Sequence, residues 1–342
     1  MSSSAQFLNP SQAARRLGVS TKALRLYEQR GLVDPARTAT GWRVYGPDDM
    51  ARANEIVALR TLGLSLAQVA RVLAGDPQGL EPALAAHQAT LEERLRQIAD
   101  TVEKVRGVRA DLALGQAPAA GEVARLLESG LSVAFDLPWP WGGERFELRD
   151  IRPLNYITGP LGCGKTRLAM RLAEILPGAA FLGLERSADG GAGARARLVA
   201  DLDLKSRVDQ VLAWLTEDGA TISEALLALL VELEPAGAGA LVVDMVEQGL
   251  DEPTQEALIA YLRRRRPDAR PLFLMTRSCA ILDLAAVGPG ETIIFCPANH
   301  SPPICVIPHP GAPGYEAVAT CLAPNEVRAR TEGMVAWRPL SH

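Results

Sequence analysis

Residues 11–33 read SQAARRLGVSTKALRLYEQRGLV. Ala13, Ala14 and Leu17 recur at helical spacing, and Gly18 can adopt the left-handed conformation that ends a helix. Ser20 or Thr21 can then cap a second helix that carries Leu24 and Tyr27 on its buried side. The pattern is helix, short turn, helix. Laid in a DNA major groove, the second helix would present Thr21, Lys22 and Arg25 outward, where arginine can read guanine through paired hydrogen bonds and lysine can hold phosphate. Lys22 and Arg25, three residues apart, share one face.

Working outward, VDPARTATGWRVYGPDD (33–49) has Pro and Gly turn formers around a short alternating strand, Trp42 to Tyr45, which reads as a wing. Pro47 and Asp48 start a further helix, and Gly63 followed by Ser65 breaks and recaps it before SLAQVARVLAG. The charge agrees. Residues 1–75 hold ten Lys and Arg against five Asp and Glu, a net of +5, so with −4 overall the remainder carries −9. A basic head on an acidic body points to a polyanion partner for the head alone.

LRLYEQRGLV (24–33), Pro35, Arg37, GWRVY (41–45) and the helix pair ending LGLSLAQVARVL (62–73) together resemble the DNA-binding domain of MerR-family regulators over residues 7 to 75. The resemblance implies that Arg25 reads bases and that Tyr27, Arg43 and Tyr45 contact or orient the DNA backbone, with Arg37 a further DNA-binding candidate. Leu26 stands where the family usually has a second aromatic. The resemblance also implies an antiparallel dimer, a palindromic promoter site in double-stranded DNA, and RNA polymerase as an indirect partner, because such activators bend or twist the promoter.

Between Leu84 and Leu112 a seven-residue repeat runs through Leu84, Leu91, Ile98, Val105 and Leu112, with Gln88, Leu95, Val102 and Arg109 in the second register. Most of these positions are apolar and the flanks are charged, which predicts a coiled-coil helix of about 43 Å at ~1.5 Å per residue. Such a seam calls for a partner helix, either a second copy's or the body of the same chain. GQAPAAGE, beginning at Gly115, reads as a joint.

The second decisive stretch is LNYITGPLGCGKT (154–166), running into the helical RLAMRLAEIL. It satisfies G-x-x-x-x-G-K-[ST] in the strand, loop and helix context that the pattern requires. Gly159, Gly162, Cys163 and Gly164 supply backbone amides for a phosphate, Lys165 would bridge the outer phosphates, and Thr166 would ligate Mg²⁺. ALVVD (240–244) is a buried strand ending in Asp244, the arrangement that holds Mg²⁺ through its water shell. With MVEQGLDEPTQEALIAYLRRRRP and PLFLMTRS after it, residues 131 to 310 resemble the ABC-type ATPase core, with Leu250-Asp251 in its loop.

The departures from that core matter. Met245 directly after Asp244 cannot act as a general base, and Glu247 is the candidate substitute. Arg277 occupies the switch position, and LTEDGAT (215–221) is a degenerate signature. These losses predict ATP held with weak or no hydrolysis; ATP and GTP are not distinguished. Trp139, Trp141 and Phe146 precede the loop, where one could stack on a base or all could simply pack. The run Arg263 to Arg266 reads as a solvated helix end.

Cys296, His300, Cys305 and His309 follow a C-x3-H-x4-C-x3-H spacing with donors suited to Zn²⁺, although the proline-rich, strand-like residues between them fit a hairpin of incidental Cys and His better. Cys163 could make nucleotide binding redox-sensitive, or simply fill space. Five cysteines in 342 residues form no disulfide framework, no apolar run approaches the ~20 residues of a membrane span, and MSSSAQFLNP has no secretory pattern. A cytoplasmic location is expected.

The expected architecture is therefore a mainly α winged helix-turn-helix (1–76), a coiled-coil dimerisation helix (80–115), a joint (116–130) and an α/β P-loop nucleotide-binding domain (131–342). The expected function is a dimeric DNA-binding transcription regulator with ATP and Mg²⁺ as input. A DNA-dependent ATPase and a metal or thiol sensor are the competing readings.

Overall fold

The computed structural model describes residues 7–19, 21–38, 41–114, 131–235, 239–265, 269–288 and 290–322. The joint expected at 116–130 lies outside them.

In the head, α1 (Pro10–Leu17) and α2 (Thr21–Gln29) flank the turn at Gly18, whose φ is 68°. Asn9 and Gln12 close a capping box on α1. Strands β1 (Ala36–Arg37) and β2 (Arg43–Val44) pair antiparallel as the wing, shorter than the stretch the alternation covers. Helices α3 (Pro47–Thr61) and α4 (Leu66–Leu73) meet at Gly63, and Ser65 caps α4. Their inward faces bury Ala13, Leu24, Tyr45, Ala53, Ile56 and Val69 in one small core. Helix α5 (Leu80–Ala113) then runs 34 residues. It leaves Leu84, Leu91, Leu95, Ile98, Val102, Val105 and Leu112 exposed, so the predicted seam is unpartnered among the described residues.

The body is a six-stranded mixed sheet with helices. Its strands are β5 (Leu154–Thr158), β6 (Ala180–Leu182), β7 (Leu241–Val243), β8 (Leu272–Met275), β9 (Glu291–Phe295) and β10 (Ile304–Val306), in the order β10-β9-β5-β8-β7-β6. Only β10 is antiparallel to its neighbour. A separate antiparallel pair, β3 (Leu131–Asp136) and β4 (Arg145–Ile151), covers one side. Both faces of β5, β7 and β8 are buried, which explains their apolar runs. Leu241, Val243, Leu272 and Leu274 point into one core, and Val242, Phe273 and Met275 into the other, as the two-residue period dictates.

The second core is closed by α6 (Lys165–Ile175), which buries Leu168, Ala169 and Leu172. The first is closed by α7 (Ala192–Ala200), α8 (Leu202–Glu217), α9 (Glu224–Leu233), α10 (Glu252–Leu262) and the short α11 (Tyr315–Cys321). Strand β8 lies between β5 and β7, so the segments after all three open onto one crevice at the carboxyl ends of the strands, where ligands of open α/β sheets bind.

Head and body meet along a polar seam. The Leu66 amide at the start of α4 donates to Asp218 Oδ1 at 2.6 Å, and the Arg60 guanidinium pairs with Asp218 Oδ2 at 2.9 Å. Ser65 Oγ donates to Glu217 Oε2 at 2.8 Å. Arg264 stacks 4.6 Å from the Trp214 ring, with Arg60 5.7 Å from the same ring. A body carboxylate thus satisfies a first-turn amide of a head helix. Within Leu215–Thr221, Glu217 and Asp218 make this contact, while Leu215 and Ala220 pack into the body core.

Candidate functional site

The head presents Thr21 and Arg25 on the exposed side of α2. Lys22 belongs to the same helix. Beside them Glu28 ties the wing to α2: it accepts from Arg43 Nε at 2.5 Å and pairs with Arg37 at 3.6 Å. Arg43 and Arg37 are thereby held next to Arg25 as a basic face. The two tyrosines are turned inward, as the helical spacing predicts for Tyr27. Tyr27 and Tyr45 are 6% and 0% exposed, so their rings belong to the core and do not line that face. Burial raises both hydroxyl pKa values, and Tyr45 Oη has no hydrogen-bond partner among the described residues. Trp42, at the wing tip and 73% exposed, is a surface aromatic that alternation alone placed in a strand without assigning it a role.

In the body, the glycine-rich loop leaves β5 and enters α6. Gly159 has φ 150°, and a Cβ there would strike Cys163 Sγ at 2.9 Å and the Cys296 carbonyl closer still. Gly164 has φ 97°, and its Cβ would strike the Trp141 ring at 2.7 Å. Only glycine fits either place. No side chain caps α6, so its first-turn amides face the crevice. The Lys165 ammonium donates to the carbonyls of Gly159 at 2.8 Å and Pro160 at 2.7 Å. Thr166 Oγ1 lies 3.4 Å from Asp244 Oδ2. Burial raises the Asp244 pKa, opposed by the Thr166 hydrogen bond and the charges of Arg186 and Lys165.

A cavity of about 310 Å³ is lined by Gly162, Gly164, Lys165, Thr166, Asp244 and Arg277, among others. The Arg277 Nε is buried without a hydrogen-bond partner among the described residues, while its main-chain amide donates to Glu247 Oε1 at 2.9 Å. Glu247, the candidate base, is 1% exposed and is not among the residues lining the cavity, so it serves to hold the Arg277 segment. Met245, which does line the cavity, has φ 41°. Its carbonyl and that of Asp244 accept from Arg186 at 2.6 and 2.7 Å. Sequence reasoning passed over Arg186, since nothing local ties it to Asp244.

The other assignments divide. Trp141 and Phe146 are buried; Trp141 Nε1 donates to the Ser301 carbonyl at 3.0 Å, and Phe146 packs edge-on against Phe135. Trp139 alone of the three aromatics is exposed. Arg263 is no solvated helix end, for it pairs with Glu291 at 3.1 Å.

The Cys and His set does not assemble. Cys296 is buried just beyond β9, Cys305 is exposed on β10, His309 is exposed, and His300 Nε2 faces the Gly162 carbonyl at 3.2 Å. Among the described residues no three His, Cys, Asp or Glu side chains converge to hold a metal. No described helix is long and apolar enough to cross a membrane.

The head is thus a winged helix-turn-helix with a basic reading face. Residues 8–76 match the MerR HTH family of regulatory proteins. The chain is 38% identical over 106 residues to a probable heavy metal-dependent transcriptional regulator of Haemophilus influenzae, covering 29% of this chain and 83% of that one. It is 33% identical over 106 residues to the HTH-type transcriptional regulator HmrR of Sinorhizobium medicae, covering 29% and 72%. The chain belongs to the MerR family of transcriptional regulators. Among solved structures, HiNmlR, a MerR family regulator lacking the sensor domain and bound to promoter DNA, is similar at 23% identity, covering 32% of this chain and 92% of that one, with a TM-score of 0.24.

Proposed function

We propose that this regulator binds a palindromic promoter site as a dimer joined through α5, and that its body binds ATP with Mg²⁺ as a regulatory input, with little or no hydrolysis. The exposed apolar row along α5 supports the dimer, because leaving seven large side chains in water is unfavourable without a partner. The observation that carries the nucleotide reading is the crevice at the strand ends. It combines glycines that no larger residue can replace, an uncapped helix N-terminus, and a lysine bonded to loop carbonyls that a phosphate could displace. The orphaned Arg277 Nε in the same cavity fits an anion.

Thr166 and Asp244 are the residues that would hold the magnesium ion, which would neutralise phosphate charge when bound. Met245, with no proton acceptor, occupies the position next to Asp244, which favours sensing over turnover. Helix α10 offers the route to the head: it starts eight residues after Asp244 and ends at Leu262, just before Arg263 and Arg264, the latter at the seam. A 100-fold preference of nucleotide for one seam geometry would supply about 2.7 kcal/mol.

The test is a titration of the full-length chain with Mg-ATP, with and without operator DNA. Lys165→Ala should abolish nucleotide uptake and the regulatory response while specific DNA binding stays largely intact. Survival of the nucleotide response in that variant would reject the reading. Brisk DNA-stimulated hydrolysis would favour a DNA-dependent ATPase instead.

A further inference from the structure

One thiol lies in the loop and another beneath it, and the nucleotide reading gives neither a task. Cys163 is 1% exposed and Cys296 is 0% exposed. Gly159 separates them so tightly that a Cβ on it would meet both residues. The Cys296 amide is fixed to the Thr158 carbonyl at 2.9 Å, so this cysteine is anchored to the base of the same loop. Both side chains belong to the same buried cluster, and the Lys165 ammonium lies 3.7 Å from the Cys163 sulfur.

The two sulfurs are therefore unequal. The hydrogen bond from Cys296, aided by the Lys165 charge and opposed by burial, draws the Cys163 pKa down to about 6. Cys296 is pushed well above the usual thiol range by the same pairing and by burial. One member is poised as the nucleophile and the other remains a thiol.

We propose that Cys163 and Cys296 form a reversible oxidation site, whose disulfide ties the glycine-rich loop to the end of β9 and withdraws it from phosphate. The oxidant is a hydroperoxide, small enough to enter the adjoining crevice. The Cys163 thiolate attacks one peroxide oxygen and the O–O bond breaks, giving a sulfenic acid and hydroxide. The Cys296 sulfur then attacks the sulfenic sulfur; the S–S bond forms, the S–O bond breaks, and the hydroxyl leaves with the thiol proton as water. Two thiols have lost two electrons and two protons, and hydrogen peroxide has become two waters. A dithiol reductant reverses the change by exchange.

An S–S bond of about 2.05 Å is much shorter than the contact distance of two unbonded sulfurs, so closure would pull residue 163 toward β9. Gly159 leaves no slack to absorb the movement. The amides at Gly162, Cys163 and Gly164 would then turn from the crevice. This consequence rests on the nucleotide reading above, whereas the disulfide itself does not.

The experiment treats the reduced full-length chain with hydrogen peroxide, maps disulfides by mass spectrometry of unreduced peptides, and titrates Mg-ATP before and after. The expected result is a Cys163–Cys296 cross-linked peptide, at least about tenfold weaker Mg-ATP binding, and recovery with dithiothreitol. Mg-ATP bound beforehand should slow the cross-link. Cys296→Ala should bind Mg-ATP like the reduced parent and give no cross-link. Its binding after prolonged peroxide should not recover, because an unresolved sulfenic acid proceeds to sulfinic acid.

Failure of the cross-link to form in the peroxide-treated parent would overturn the proposal, as would undiminished Mg-ATP affinity in cross-linked protein. A reduced chain that takes up no Mg-ATP yet yields the cross-link would sink the nucleotide reading and leave the thiol site standing.

Discussion

Replacing Asp218 by Asn tests whether the seam holds the head in place. Asp218 accepts the Leu66 amide at 2.6 Å and pairs with Arg60 at 2.9 Å, with side-chain exposures of 3% for Asp218 and 19% for Arg60. Breaking a fully buried ion pair costs about 3–5 kcal/mol, and a hydrogen bond to a charged group contributes about 1.5–3 kcal/mol. Here the loss should fall below the first range, because Arg60 reaches solvent and keeps its bond to the Leu64 carbonyl at 2.9 Å, while the Asn oxygen can still accept from Leu66. We expect about 2 kcal/mol, roughly a 30-fold shift toward a head released from the body. Amide hydrogen exchange at Leu66 reads that shift directly, since its donor is satisfied by the body. Exchange there should accelerate by about the same 30-fold factor, and a double-mutant cycle with Arg60→Met should return a coupling of at least about 1 kcal/mol. Asp218→Asn should also uncouple DNA affinity from Mg-ATP without changing Mg-ATP affinity. Unaltered exchange at Leu66, with additive single-mutant effects, would refute the seam as a stabilising contact.

The other predictions concern the two candidate sites. Arg25→Ala should weaken operator binding by about 1–3 kcal/mol, measured by fluorescence anisotropy; an equal loss on random DNA would assign Arg25 to phosphate instead of base reading. Asp244→Asn should abolish Mg²⁺-dependent nucleotide uptake while stabilising the nucleotide-free chain by about 1 kcal/mol at neutral pH, because burial disfavours the ionised carboxylate. The sign follows from its raised pKa: the folded state holds that proton more tightly than the unfolded one, so the parent should lose stability relative to the variant as pH rises from the ordinary value of 3.8 through the folded value. Thermal unfolding across that range checks it, and parallel curves for parent and variant would count against it. Arg277→Met should weaken ATP binding by about tenfold with little effect on ADP, if the guanidinium with its unpartnered Nε meets the terminal phosphate; equal losses for both nucleotides in calorimetry would place it elsewhere.

What could be read from the sequence was what a short window determines. Gly18 between two apolar stripes, the Gly63 and Ser65 break, the heptads from Leu84 to Leu112, and a strand running through glycines into Lys165 each declare themselves within about one element's length, and each is present. Tyr27 was already legible on the buried side of α2, whereas Tyr45 was not, because a tyrosine offers both an apolar ring and a polar tip, and only packing against α3 and α4 decides which is used. The Cys and His spacing failed for a related reason. Cys305 pairs across the hairpin with Ile294 and stays exposed, while Cys296, past the end of β9, turns into the core beneath the glycine-rich loop.

The seam was hidden most completely. Asp218 sits in a stretch whose local pattern invites comparison with a nucleotide signature, yet its partners Leu66 and Arg60 are more than 150 residues away, separated from it by the long helix. No window that short can see such a pair. Its position has a consequence for coupling: the carboxylate that caps α4 also neighbours the buried Tyr27 on the reading helix. Any change in the body that shifts the end of α8 would therefore act on α4 and on Tyr27 of α2 at once, which is the arrangement expected of a head oriented by its body instead of one tethered loosely beside it.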